Sequence, residues 1–130
     1  MIEIRTPNAP QPAGHYAQAI VHDGVVYVSG QLPIDPRTGA RCTGTIEEQA
    51  ELALRNVAAI LVAAGSDLSL VLKTTVYVSD ISLWGRVNAV YARVFGDHRP
   101  ARAVVPSRAL HHGLQVEIEA VAVVRFGEPQ

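Results

Sequence analysis

Apolar residues along this chain recur at two spacings, and the changes of spacing separate strands from helices. Tyr16 to Val21 and Val25 to Ser29 are β-rich runs joined by His22-Asp23-Gly24, where Gly24 can take the positive φ of a tight turn, so a hairpin is expected. Leu32 to Gly39 carries two prolines and a glycine and reads as a loop. From Ala50 the period lengthens: Ala50, Ala53, Leu54, Val57, Leu61 and Ala64 form one helical stripe. Thr45 with Glu48 makes a capping box at its start, and Gly65 ends it. Val71 to Val78 is β-branched and predicts a strand. Ser82 is placed to cap a second helix with Leu83, Val87, Val90, Tyr91 and Val94 inward, stopped by Gly96. Ala101 to Val105 and Leu114 to Phe126 are the last two strands.

The order is β, β, α, β, α, β, β, preceded by Ile2 to Arg5 as a further short strand, which predicts an α+β fold: a mixed sheet with both helices on one face. The last strand adds a constraint. Alternation sends Val116, Ile118, Ala120 and Ala122 to one face and Glu117, Glu119, Val121 and Val123 to the other. If helices cover the first face, the partly apolar second face needs another cover, and a second copy of the chain is the natural one.

Composition supports that reading. Only 18% of the 130 residues are charged, against about 25% in soluble domains generally, and 48% are apolar. Residues 1–130 suit a single domain. The net charge of −1 carries no basic stripe, so a nucleic-acid partner is not expected. The longest apolar run, Val57 to Ala64, is far short of the roughly 20 residues of a membrane span, so no membrane partner is expected either. Residues Met1 to Ala13 lack the apolar core of a signal peptide, and the single Cys42 cannot form an internal disulfide; a reduced, cytoplasmic protein is expected.

Few residues carry candidate chemistry. Arg102 lies in the apolar run Pro100 to Val105 and needs a partner there: either Glu117 or Glu119 across neighbouring strands, or a small carboxylate received by its planar fork. Tyr16, opening one hairpin strand, and Ser29, closing the other, fall side by side, while Asn88 in the second helix reads simply as a polar residue facing water. None of the five histidines stands in a metal-binding motif, Cys42 has no histidine at a nucleophile-pair spacing, and no glycine-rich phosphate loop occurs. No metal and no organic cofactor is implied.

Taken together, Asn8-Ala9-Pro10, Gly14-x-Tyr16-x-Gln18-Ala19, Val28-Ser29-Gly30-Gln31-Leu32-Pro33, Lys73-Thr74-Thr75-Val76, Val87-Asn88-x-Val90-Tyr91, Pro100-Ala101-Arg102 and Val116-Glu117-Ile118-Glu119-Ala120 resemble the RidA family, also called YjgF or the L-PSP endoribonuclease family. The resemblance implies a chorismate-mutase-like protomer in a homotrimer with a central β-barrel and active sites in the clefts between subunits. It implies hydrolytic deamination of 2-aminoacrylate and related 2-imino acids to 2-keto acids and ammonia, without a cofactor. Arg102 matches the family's carboxylate-binding arginine and Glu117 its water-positioning glutamate. Tyr16, Ser29 and Asn88 match other pocket positions, and Val104 offers a main-chain contact. Against the family's usual pattern stand His15 for a proline, Ala103 and Val104 for hydroxyl and thiol side chains, and His111 for a proline. The alternatives are a non-catalytic trimer that binds a small carboxylate as a sensor and, ranked lower, an endoribonuclease.

Overall fold

The computed structural model describes residues 1–125. Six strands form one sheet in the order β1-β2-β3-β6-β4-β5. β1 is Ile2–Ile4, β2 Ala19–His22, β3 Val25–Gln31, β4 Val71–Val78, β5 Ala101–Pro106 and β6 Val116–Val123. β4 and β5 run parallel and every other pair is antiparallel, which makes the sheet mixed. Helix α1, Ile46–Ala63, connects β3 to β4, and α2, Trp84–Phe95, is the crossover that lets β5 lie parallel to β4.

Local chemistry explains most of the boundaries. The β2–β3 turn has positive φ at both Asp23 (50°) and Gly24 (75°), the twist that suits a two-residue hairpin. α1 begins with the expected reciprocal box: Glu48 N–H donates to Thr45 Oγ1, and Thr45 N–H donates to the Glu48 carboxylate. Gly65, at φ 81°, turns the chain out of it.

Three expectations need correction. β2 starts at Ala19, so Tyr16 lies in the loop before the strand. Ser82 is not the cap of α2: Asp80 accepts from Ser82 N–H and starts a single 3-10 turn that runs into the helix. The carboxylate is the stronger acceptor and needs no hydroxyl rotor fixed. The last strand spans Val116–Val123 rather than Leu114 to Phe126. Its start is set by Gln115, whose N–H donates to Gln49 Oε1, and past its end Val124 and Arg125 donate to Gly24 and Gly65 carbonyls instead of to a ladder. Phe126 lies outside the described residues.

Val21, Val26, Val76, Val78, Val116, Ile118 and Ala122 are buried on the face that both helices cover, where α1 contributes Ala50, Ala53, Leu54, Val57 and Leu61 and α2 Val87, Val90, Tyr91 and Phe95. Burying each large aliphatic side chain there stabilises the fold by about 1.5–3 kcal/mol. Among the described residues no helix covers the opposite face. Tyr27 is 51% exposed, Val123 37% and Val105 36%, so alternation leaves apolar groups uncovered on it.

Candidate functional site

A cleft of about 610 Å³ opens where the N-terminal loop, the end of β3 and the turn before β6 converge. Tyr16, Ser29, Gly30, His111, Glu117 and Glu119 line it. Three buried carboxamides hold its walls, each because one amide group can satisfy several backbone groups of a loop that has no ladder of its own. Gln18 accepts from Thr6 N–H at 2.8 Å and donates to the Thr6 and Pro10 carbonyls at 3.1 and 2.9 Å, which folds the N-terminal loop over the cleft. Asn56 donates to the Leu32 and Ile34 carbonyls at 3.0 and 2.9 Å. Gln49 donates to Gln115 Oε1 and accepts from Gln115 N–H, which secures the chain entering β6.

The ladder between β3 and β6 is irregular at the cleft. Val28 pairs with Ala120 and Gln31 with Ile118, so three steps on β3 face two on β6, and a bulge falls at Ser29-Gly30. The bulge turns Ser29 toward the preceding loop, where its N–H donates to the Gln18 carbonyl and its Oγ to the Ala17 carbonyl at 2.6 Å. Ser29 is therefore interior to β3 rather than its last residue. Gly30 makes room for Glu117: a Cβ at this position would stand 2.5 Å from Glu117 Oε2 and 3.0 Å from its Cδ.

The two acids of β6 differ in their surroundings. Glu119 accepts the Tyr77 hydroxyl at 2.7 Å, a bond that pushes the Tyr77 phenol above its ordinary pKa. Among the described residues the Glu117 carboxylate accepts no hydrogen bond, and burial pushes its pKa up, with His111 opposing and Glu119 adding to the rise. A half-buried carboxylate with free lone pairs in a cleft is suited to take a proton from a bound water.

Arg102, Asn88 and Val104 stand elsewhere. Arg102 registers with Thr74 across the β4–β5 pair, and Glu117 with Tyr77 across the β4–β6 pair. Thr74 and Tyr77 are three residues apart on one strand, so Arg102 and Glu117 point to opposite faces with β4 between their strands. An ion pair from Arg102 to Glu117 or Glu119 within the protomer is thereby excluded. Arg102 instead turns to α2: Nη1 donates to Asn88 Oδ1 at 2.8 Å, and its guanidinium carbon sits 4.8 Å from the Tyr91 ring centroid. The Tyr91 hydroxyl is tied to Thr74 Oγ1 at 2.7 Å, which fixes the ring on which the guanidinium rests. Asn88 is thus half-buried and bonded rather than merely facing water. Val104 registers with Val76 and packs against the core, on the same side as Arg102. β5 is a sheet edge, and its chain-external main-chain groups are open to a further contact.

The family model described as Endoribonuclease L-PSP matches residues 6–124. The chain belongs to this family, which is also called RidA. Among its relatives, a 2-iminobutanoate/2-iminopropanoate deaminase of Rattus norvegicus is 45% identical over 92% of this chain and 88% of its own. A RutC family protein of Pyrococcus horikoshii is 44% identical over 92% and 94%. Escherichia coli TdcF, solved with bound serine, superposes with a TM-score of 0.90 at 36% identity, covering 95% of this chain and 98% of that one. The α+β architecture, two helices on one face of a six-stranded mixed sheet, is that of the RidA family structures.

In this RidA family chain, the structure gathers Tyr16, Ser29 and Glu117 on one cleft and leaves Arg102, Asn88 and Val104 on the far side of β4. Reading the sequence singled out neither Gly30 nor the three carboxamides as parts of the site. The signals were present: a glycine inside a strand run marks a bulge, and Gln49 and Asn56 fall at helical spacing with Ala53 and Ile60, on the buried stripe.

Proposed function

We propose that this protein hydrolyses reactive 2-imino acids, including the imine tautomer of 2-aminoacrylate, to 2-keto acids and ammonia. The observation that carries the reading is the Glu117 carboxylate, free of hydrogen bonds among the described residues and pressed against Gly30 in the cleft. In the proposed reaction Glu117 accepts a proton as water oxygen bonds to the imine carbon. It passes that proton to the imine nitrogen, giving a carbinolamine, then takes the hydroxyl proton and delivers it to the amine as the carbon–nitrogen bond breaks, so that ammonia leaves and the carbonyl forms. Arg102 receives the substrate carboxylate, steadied by Asn88 and Tyr91, while Tyr16, Ser29 and the Val104 main chain bound the pocket. The deaminase relative supports the chemistry, and serine on TdcF is an α-amino carboxylate of the size such a pocket takes.

Arg102 and Glu117 can share a substrate only if they come from different protomers, because one sheet separates them. The uncovered apolar face and the open β5 edge favour such an assembly, and we take it to be a homotrimer in which β5 of one protomer completes the cleft of the next. Light scattering is expected to report about three times the 13.9 kDa chain mass. Val121→Asp, on the helix-free face, should dissociate the assembly, while Arg37→Glu, on an exposed loop, should not; a stable, active monomer would contradict the shared site.

The activity test is a panel of 2-imino acids generated in place by an amino-acid oxidase, with decay and ammonia release followed with and without the protein. Faster decay with matching ammonia supports deamination. Saturable binding of 2-keto acids without turnover supports a sensor instead. Gly30→Ala should push the Glu117 carboxylate aside and lower kcat/KM by about tenfold or more, since a displacement of about 1 Å of a catalytic group is costly. Unchanged turnover in that variant would show that the position of the carboxylate is not critical.

A further inference from the structure

The turn before β6 carries two adjacent histidines, His111 and His112, both exposed and both lining the cleft beside Glu117. The proposed hydrolysis uses neither. They are not equivalent. His112 sits at φ 64°, ψ 18°, and with Gly113 at φ 70° it shapes the turn, so its backbone is the reason for its geometry. His111 precedes that left-handed pair, and the rings lie 6.0 Å apart, centroid to centroid. Among the described residues, the titratable groups around Glu117 are Glu119 on its own strand, Tyr77 from β4, and Tyr16 and the two histidines, which line the same cleft. Of these only the histidines can bring positive charge.

We propose that His111 is a positioning residue for Glu117: its imidazolium, at the mouth of the same cleft, keeps the carboxylate in its proton-accepting form as the solution turns mildly acidic. Burial and the neighbouring Glu119 both favour the neutral carboxyl, whereas a positive His111 favours the anion. A histidine side chain can take up a proton and become a cation as the solution turns acidic, while burial makes the Glu117 carboxylate lose its charge sooner than a free one. The gain of one charge thus defends the other, and the working range of the base extends downward. The effect on turnover rests on the hydrolysis proposed above; the electrostatic coupling does not.

The decisive experiment follows the carboxyl carbon of Glu117 by NMR across a pH titration, in protein labelled at glutamate carboxyls, with the signal assigned by its loss in Glu117→Gln. His111→Gln keeps a polar side chain but cannot become charged; its Glu117 midpoint should move up by about half a unit to one unit. His111→Lys restores a cation and should keep the parent midpoint. His112→Asn tolerates the left-handed backbone and should also keep it. Arg102 is present in every one of these proteins, so its contribution from a neighbouring protomer cancels in the comparison. In kcat/KM, His111→Gln should fall below the parent on the acid limb of the profile, by at most about three- to tenfold for a midpoint moved by about half a unit to one unit, and rejoin it on the alkaline side. An unchanged midpoint in His111→Gln overturns the proposal, as does an equal shift in His112→Asn, which would mark a general disturbance of the turn. A protein that shows the shift but hydrolyses no imine would contradict the deaminase reading and leave the coupling of His111 to Glu117 standing.

Discussion

Arg102→Lys is expected to lose about a hundredfold in kcat/KM on 2-iminopropanoate although it keeps the charge. The arginine is held as a plane: Tyr91 lies under it at 4.8 Å and Asn88 accepts from Nη1 at 2.8 Å, so the rest of its fork is oriented before any ligand arrives. A lysine ammonium neither stacks as a plane nor offers two parallel donors, and the carboxylate would be held by one movable contact. The residue is exposed in the protomer, so the substitution should leave the thermal transition of the chain nearly in place. Kinetics and circular dichroism on the same preparation check both halves. Near-normal turnover in Arg102→Lys and in Arg102→Ala would show that the substrate carboxylate is bound elsewhere.

Glu117→Gln is expected to cost on the order of a hundredfold or more in imine hydrolysis while still binding a small 2-keto acid through Arg102. Glu119→Gln is the comparison on the same face, and it should retain much more activity, because Glu119 is already committed to the Tyr77 hydroxyl. The pH dependence follows from the burial of Glu117. A base must be ionised to accept a proton, so kcat/KM should fall as pH drops through a midpoint above the ordinary carboxylate range, and this acid limb should vanish in Glu117→Gln. Stability should move the other way. With its folded pKa raised, the carboxyl is destabilising where it is ionised, at neutral pH, and neutral in effect below its unfolded pKa of about 4.3. Glu117→Gln should therefore unfold at a higher temperature than the parent near pH 7 and at the same temperature near pH 3. A lower melting temperature at pH 7 would mean that the carboxylate is structural.

How much of this was legible in the sequence depends on the range of the interaction that decides it. The capping box at Thr45 and Glu48, the turn at Asp23-Gly24 and the two faces of β6 are local, and the residues that make them are neighbours in the chain. The edges of β2 and β6 were missed because they depend on distant partners: Gln49 sets the entry to β6 from 66 residues away. The same limit hid the arrangement of the site. Alternation within β5 and within β6 is readable, but the relation between the two faces needs the strand order, and β4 stands between β5 and β6 although it precedes both. Arg102 and Glu117 therefore seemed close in sequence order and are separated by the sheet. Gly30 gives the converse case. Its glycine was visible, while the carboxylate it accommodates comes from a strand 87 positions later in the chain.

The shared site can be tested with two inactive proteins. Arg102→Ala protomers keep Glu117, and Glu117→Gln protomers keep Arg102, so a cleft formed between the two kinds in one orientation has both groups. Ammonia release from 2-iminopropanoate is measured for each variant alone and for an equimolar co-expressed mixture. If each cleft takes Arg102 from one protomer and Glu117 from the next, random assembly makes about one cleft in four complete, and the mixture should recover about a quarter of the parent rate. A mixture as inactive as its components would contradict a site divided between subunits.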